Sequence, residues 1–201
     1  TLLALEASPL VFYLVLAVLG LITGSFLNVV VYRLPLMMER DWKAECQQFL
    51  GIDQDSGQQD SEQATNHAGM NLASPPSACP NCGHRIRAWE NIPVLSWLFL
   101  RGKCSGCATP ISIQYPLVEL ATGIMSVAVG MKFGVSLQTL AALAFTWLLI
   151  ALTLIDVKKM LLPDSLTFRL LWLGILCNIF GLFTDLESSV IGAMAGYLAL
   201  W

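Results

Sequence analysis

Residues Leu10–Val31 read LVFYLVLAVLGLITGSFLNVVV, twenty-two positions without a single charged side chain. At about 1.5 Å of rise per residue, a helix of that length crosses a hydrocarbon core of ~30 Å. Ser8-Pro9 in front of the run offers an N-cap residue and a proline for the first helical position. No Lys or Arg precedes Leu10, and the run is too long for the apolar part of a cleavable signal. It reads as a true first membrane span.

The rest of the chain follows the same solvent logic. Of 201 residues, 56% are hydrophobic and only 12% charged, and the mean hydropathy of +0.66 is far from that of a soluble domain. Three further spans are expected at Pro116–Phe133, Leu137–Ile155 and Leu166–Phe183. A fifth apolar run starts at Ser188 and reaches Trp201 after 14 residues, which as a helix covers only ~21 Å. The expected fold class is an all-α polytopic membrane protein, with four complete transmembrane helices and the start of a fifth. The sequence is expected to be a piece of a longer chain at both ends, since it opens on Thr1 rather than Met. A net charge of −3 argues against nucleic acid as a partner. The lipid bilayer is the partner that composition demands.

Ten of the eleven Lys and Arg residues fall on one side of these spans, with Lys132 alone on the other. The positive-inside rule makes the basic side cytoplasmic and the N-terminus external. On that cytoplasmic side lie Cys79-Pro80-Asn81-Cys82 and Cys104-Ser105-Gly106-Cys107, separated by 21 residues. Each C-x2-C turn presents two thiolates, and two such turns make the tetrahedral sulfur cage of a structural zinc ion. A reducing compartment disfavours disulfides between them. Arg85, Arg87, Arg101 and Lys103 flank the pairs and could offset the charge of a four-thiolate site, or simply anchor the loop beside the membrane. His84 is a weak fifth candidate, Cys46 is expected in a polar loop, and Cys177 is expected to pack within a helix.

Between about 39 and 78 the composition turns polar. Ala44–Ala78 contains no Lys or Arg, five acidic residues and a cluster of glutamines. Such a stretch has little apolar surface to offset the entropy of ordering it and is expected to be a flexible insertion. The chain thus divides into a first transmembrane helix (1–32), a cytoplasmic loop (33–115) holding the insertion (about 39–78) and the zinc module (about 79–110), and a membrane core (116–201).

Asp156 is the most informative ionisable residue. It follows the third span directly, in Leu154-Ile155-Asp156-Val157-Lys158-Lys159, where a carboxylate opposes the helix dipole. The structural alternative is pairing with Lys158 or Lys159. Asp164 reads as the N-cap of the fourth span, and Glu119 as a first-turn acid of the second. Gly20 and Gly24 form a GxxxG pair followed by Ser25 and Asn28. That pattern favours close helix packing with a hydrogen bond across the interface, or a groove that faces substrate.

Taken together these motifs resemble bacterial type IV prepilin peptidases, the GxGD-type membrane aspartic protease family. Gly24-Ser25-Phe26-Leu27-Asn28-Val29-Val30-Val31-Tyr32-Arg33-Leu34-Pro35 is similar to that family's N-terminal signature. Cys79 to Cys82 through Glu90-Asn91-Ile92-Pro93, Arg101-Gly102-Lys103-Cys104 and Tyr115-Pro116-Leu117-Val118-Glu119 are similar to its cytoplasmic domain and second helix. Ile155-Asp156 with Leu162-Pro163-Asp164 resembles its first aspartate motif. The family's second catalytic aspartate stands in Gly-x-Gly-Asp, which does not occur in this sequence.

The resemblance implies a bacterial inner-membrane enzyme that cleaves the basic leader from type IV prepilins and type II secretion pseudopilins. Asp156 would be one member of a catalytic dyad whose other member is absent from these 201 residues, so residues 116–201 would be an incomplete peptidase core. It also implies N-methylation of the new terminus with S-adenosylmethionine, for which no Rossmann-type G-x-G pattern is present and no binding residues can be named. Two readings from other classes compete with it: a non-catalytic membrane zinc scaffold, and a membrane-anchored iron–thiolate electron carrier.

Overall fold

The structure, a computed structural model, describes residues 8–51, 71, 72, 74 and 76–200. Among the described residues, six α-helices occur in the order α1 (Pro9–Phe49), α2 (Leu95–Phe99), α3 (Gln114–Phe133), α4 (Leu137–Lys159), α5 (Asp164–Ile179) and α6 (Leu186–Leu200). Ala88–Asn91 forms a 3-10 turn before α2. No strand is present among the described residues, only isolated bridges between Ala78 and Arg85 and between Lys103 and Pro110.

Helix α1 begins where the sequence suggests, with Ser8 extended and Pro9 at the first position, although the Ser8 side chain makes no capping hydrogen bond. It does not stop at Tyr32. The helix runs on to Phe49, so the expected end of the first segment and the first part of the expected flexible insertion are corrected. The cause is local: Leu36-Met37-Met38-Glu39-Arg40 and Lys43-Ala44-Glu45 are strong helix formers. Polarity removed this stretch from the membrane without removing its helical preference. At 41 residues, with Pro35 inside it, α1 has a contour length of about 62 Å, twice the hydrocarbon thickness. Residues 52–70, which make up most of the rest of the insertion, lie outside the described residues.

Among the described residues, three helices are long and apolar enough to cross a membrane: α1, α3 and α4. Helix α5, expected as a fourth complete span ending at Phe183, has only 16 residues and ends at Ile179. Its end is a Schellman turn: Gly181 takes a left-handed φ of 63°, its N–H donates to the Asn178 carbonyl, and the Leu182 N–H donates to Cys177. Asp164 is also not the N-cap. Pro163 holds that position in an extended conformation and Asp164 is the first helical residue. Its carboxylate still suits the positive end of the helix dipole.

Helices α1 and α3 pack antiparallel along a seam of small residues. A Cβ on Gly20 would come 2.8 Å from the Gly123 Cα, and one on Gly24 would come 2.7 Å from the Glu119 Cα. Both are closer than packed carbons tolerate, so the interface needs glycine there. Asn28 donates to the Tyr115 carbonyl across the same seam at 3.2 Å, as the GxxxG reading expected. Helix α4 closes against both: the Trp147 indole donates to Ser126 Oγ at 3.0 Å. Near the end that carries Asp156, Leu27, Val31, Ala151, Leu152, Ile155 and Leu166 form one buried cluster joining α1, α4 and α5.

Candidate metal centre and active site

The two C-x2-C turns are built alike. In the first, the Cys79 N–H donates to the His84 carbonyl and the Gly83 N–H returns to Cys79, both at 2.9 Å. In the second, Cys104 donates to Thr109 at 2.9 Å and Ala108 returns to Cys104 at 3.0 Å. The residue four places after the first cysteine is left-handed in each turn, Gly83 at φ 69° and Ala108 at φ 57°. Each turn is locked at its mouth by one of the isolated bridges.

The turns face each other, and the sulfurs of Cys79, Cys82, Cys104 and Cys107 all lie within 4.8 Å of one another. Cys79 and Cys107 are 3.7 Å apart, Cys82 and Cys104 4.0 Å. A tetrahedral ion with metal–sulfur bonds of ~2.3 Å places its sulfurs ~3.8 Å apart. The cage therefore has the size of a bound metal ion.

Its electrostatics point the same way. Hydrogen bonds from Thr109, first through its hydroxyl and then its backbone, and from Asn81 bring the Cys107 thiol down to about 6. The Asn81 and Cys82 amides lower Cys79. Cys82 is pushed up to about 12, because the pull of the His84 amide is outweighed by the crowding of Cys107, Cys79 and Cys104 together with desolvation. Four thiols this close do not ionise together unless a cation joins them. His84 is occupied elsewhere: its Nε2 meets Glu90 Oε2 at 3.2 Å and Ser105 Oγ at 3.1 Å. Arg87 stacks over Trp89, 5.2 Å from the ring centroid, and its amide donates to Glu90 at 2.9 Å.

Asp156 stands one turn before the end of α4, half-buried, next to the fully buried Ile155. Its carboxylate has no hydrogen-bond partner among the described residues. Its carbonyl accepts from Met160 at 2.7 Å, and Met160 turns the chain out of the helix in a left-handed conformation at φ 51°. Pairing with Lys159, one of the two structural alternatives, does not occur: Lys159 Nζ reaches Glu39 Oε1 instead, at 3.1 Å. Lys158, two residues on, faces another direction on the helix. Asp185 is engaged as a helix cap, accepting from the Ser188 amide at 2.8 Å and its hydroxyl at 2.9 Å.

One site residue was misread in the sequence. Glu119 is the sixth residue of α3, not a first-turn acid, and it is buried. Its Oε2 accepts the Val94 amide at 2.7 Å. Val94 has φ 60° and ψ −48°, and the Leu95 N–H turns back to the Pro93 carbonyl across it. This is a tight γ-turn, strained for a β-branched residue. A sequence signal existed in the uncharged run Ile92–Leu100 between cationic flanks.

Comparison with known proteins bears on both centres. Residues 18–133 match the Bacterial Peptidase A24 N-terminal domain and residues 143–201 the Type IV leader peptidase family. A protein of Stutzerimonas stutzeri named prepilin leader peptidase/N-methyltransferase is 53% identical over 98% of this chain and 65% of its own length. Proteins with the same name from Pseudomonas aeruginosa and Neisseria gonorrhoeae are 52% and 50% identical, over 98% and 92% of this chain. The chain spans 65% and 62% of the lengths of those two. No solved structure matches it. With the metal cage inside the first matched region and Asp156 inside the second, the chain belongs to the type IV leader peptidase family, A24.

Proposed function

We propose that the protein is a bacterial inner-membrane aspartic endopeptidase that removes the basic leader from type IV prepilins and type II secretion pseudopilins. The carrying observation is Asp156: a carboxylate at the end of an apolar helix, free of its neighbouring lysines, within the region that matches the peptidase family. Relatives at about half identity named prepilin leader peptidase/N-methyltransferase support the substrate class. In this reading Asp156 is one half of a dyad and the second aspartate comes from outside these 201 residues. Asp185 is committed to capping α6, and Asp164 lies exposed at the start of α5.

An aspartic dyad shares one proton because two adjacent carboxylates resist joint ionisation. The ionised member takes a proton from water as the water attacks the peptide carbonyl, and the protonated member polarises that carbonyl. Asp156 lies at a membrane boundary, which is where such a substrate changes from basic leader to apolar helix. The concentration of Lys and Arg on this side supports a cytoplasmic active site. N-methylation of the new terminus with S-adenosylmethionine rests on the names of the relatives alone.

Cys79, Cys82, Cys104 and Cys107 would hold one structural zinc, whose binding energy folds a module with almost no hydrophobic core of its own. The domain division follows with one change: membrane helix, cytoplasmic module and membrane core remain, and the first helix carries a cytoplasmic extension. Helix α5 counts as a fourth span if the turn after Ile179 is also within the bilayer.

The deciding experiment is Asp156→Asn in the full-length protein, assayed on a purified prepilin. Cleavage should be lost while insertion and about one zinc per chain are retained. Cleavage at near wild-type rate would reduce Asp156 to a structural residue. A coloured iron–thiolate site in place of zinc would favour the electron carrier.

A further inference from the structure

The Cys module carries an apolar arm that the metal centre does not explain. Ile92-Pro93-Val94-Leu95-Ser96-Trp97-Leu98-Phe99-Leu100 has one polar side chain and no charge. Within it Leu95 is 50% exposed, Leu98 64% and Phe99 82%. These side chains are not covered by the module, and the short helix α2 that bears them buries no residue.

Its position relative to the membrane helices is fixed by two contacts. Gly24 packs on the Glu119 Cα, so Glu119 lies level with a point nine residues, or about 13 Å, inside α1 from Arg33. The Glu119 carboxylate holds the Val94 amide at 2.7 Å. Val94 therefore sits within one side-chain length of that level, beside the uncharged Leu10–Val31 run. The module does not merely stand above α3. Its chain dips back along it.

The backbone at the dip is treated as it must be where water is scarce. Pro93 has no N–H to satisfy, the Val94 N–H is taken by Glu119, and the N–H groups of Leu95, Ser96, Leu98 and Leu100 return to carbonyls of the same segment. In water a solvent molecule would serve Val94. Here a buried carboxylate from a neighbouring helix is spent on it, at a residue whose backbone is strained. Arg87 before the segment and Arg101 and Lys103 after it are exposed cations, of the kind that lipid phosphates attract. The indole of Trp97, donating to the Ile111 carbonyl at 3.2 Å, fixes the returning limb.

We propose that Ile92–Leu100 is a re-entrant membrane element whose partner is the lipid bilayer, with Leu95, Leu98 and Phe99 among the acyl chains and Glu119 holding its turn. It rests on α1 and α3 as membrane spans and not on the peptidase reading.

The test places the photoreactive residue benzoylphenylalanine at Leu98, Phe99, Leu120 or Ser77 of the full-length protein in native membranes, with adducts identified by mass spectrometry. Leu120 is an exposed position on α3 and Ser77 an exposed one on the Cys module. Phospholipid adducts at Leu98 and Phe99 should match those at Leu120 and exceed those at Ser77 at least tenfold. Adducts at Leu120 with none above the Ser77 level at Leu98 and Phe99 overturn the inference alone. No adduct at Leu120 overturns the span reading and the inference with it. With the probe at Phe99, Glu119→Gln keeps an acceptor for Val94 and should retain the lipid adduct, whereas Glu119→Leu should lower it tenfold. An unchanged yield in Glu119→Leu removes Glu119 from the proposal. If that variant does not accumulate, the probes in the wild-type background still decide.

Discussion

Lys159 Nζ lies 3.1 Å from Glu39 Oε1, joining the end of α4 to the polar extension of α1 across 120 positions of sequence. The pair also keeps Lys159 away from Asp156, one helical turn earlier. Both side chains are close to half exposed, so the bridge itself contributes at most about 1 kcal/mol. A double-mutant cycle of Glu39→Gln and Lys159→Gln, read by thermal denaturation in detergent, should give a coupling below about 1 kcal/mol that vanishes near 1 M salt. A larger, salt-insensitive coupling would show that the pair is shielded by lipid or by chain outside the described residues.

The two cysteine turns share a backbone but place different residues at its left-handed position, Gly83 in one and Ala108 in the other. An L-residue there costs roughly 1–2 kcal/mol, part of which a glycine gives back through its freer unfolded chain. Ala108→Gly should therefore tighten metal retention, by up to about 1 kcal/mol in a chelator competition. Gly83→Ala should loosen it. The reverse order would mean the turns are not equivalent when metal is bound.

Glu90 gives the module a specific acid response. The Arg87 amide first, then the Ser105 hydroxyl and His84, hold its carboxyl down at about 2. An unfolded glutamate titrates near ~4.3. The folded form thus gains stability that is complete above ~4.3 and is lost as pH falls from there toward the folded value. The melting temperature of Glu90→Gln should lie below wild type by a constant margin above pH ~5, and the margin should shrink between ~4.3 and ~2. A margin that instead changes near neutrality would show that a group other than Glu90 sets it.

Gly24 is the tightest point of the α1–α3 seam against backbone. Gly24→Leu should destabilise the helix pair by at least the roughly 1–3 kcal/mol typical of overpacking, since the Glu119 Cα has no room to yield. Gly123→Ala should cost less, because its new Cβ would come no closer than 3.3 Å, to Leu21 side-chain carbons, with the Ala17 carbonyl at an ordinary 3.5 Å. Thermal melts of both variants in detergent would check the order.

The parts of the fold that were legible follow from solvent. An uncharged run of 22 residues leaves α1 no alternative to the membrane, and the C-x2-C spacing leaves the four sulfurs few ways to avoid each other. What was missed depends on competition between local forces. Polarity in Glu39–Phe49 was read as disorder, although the same residues are good helix formers. Glu119 was given to its own helix dipole because its true partner, an amide 25 positions away, has no signature in composition. The end of α5 turned on Gly181, a single residue inside an apolar run that hydropathy averages away.

Arg33 is buried, and its Nη1 donates to the Asn71 carbonyl at 2.9 Å. The chain therefore leaves this point along α1, reaches Gly51 about 27 Å away, and is back at the same arginine twenty residues later. A connection of twenty residues can stretch to roughly 70 Å, well beyond the ~27 Å that separates its ends. Both of its ends are anchored independently of its length, and doubling it would cost only about 0.6 kcal/mol in closure entropy. A fluorescent domain or an affinity handle inserted between Gly51 and Asn71 is therefore expected to leave the Arg33–Asn71 contact and the metal cage in place.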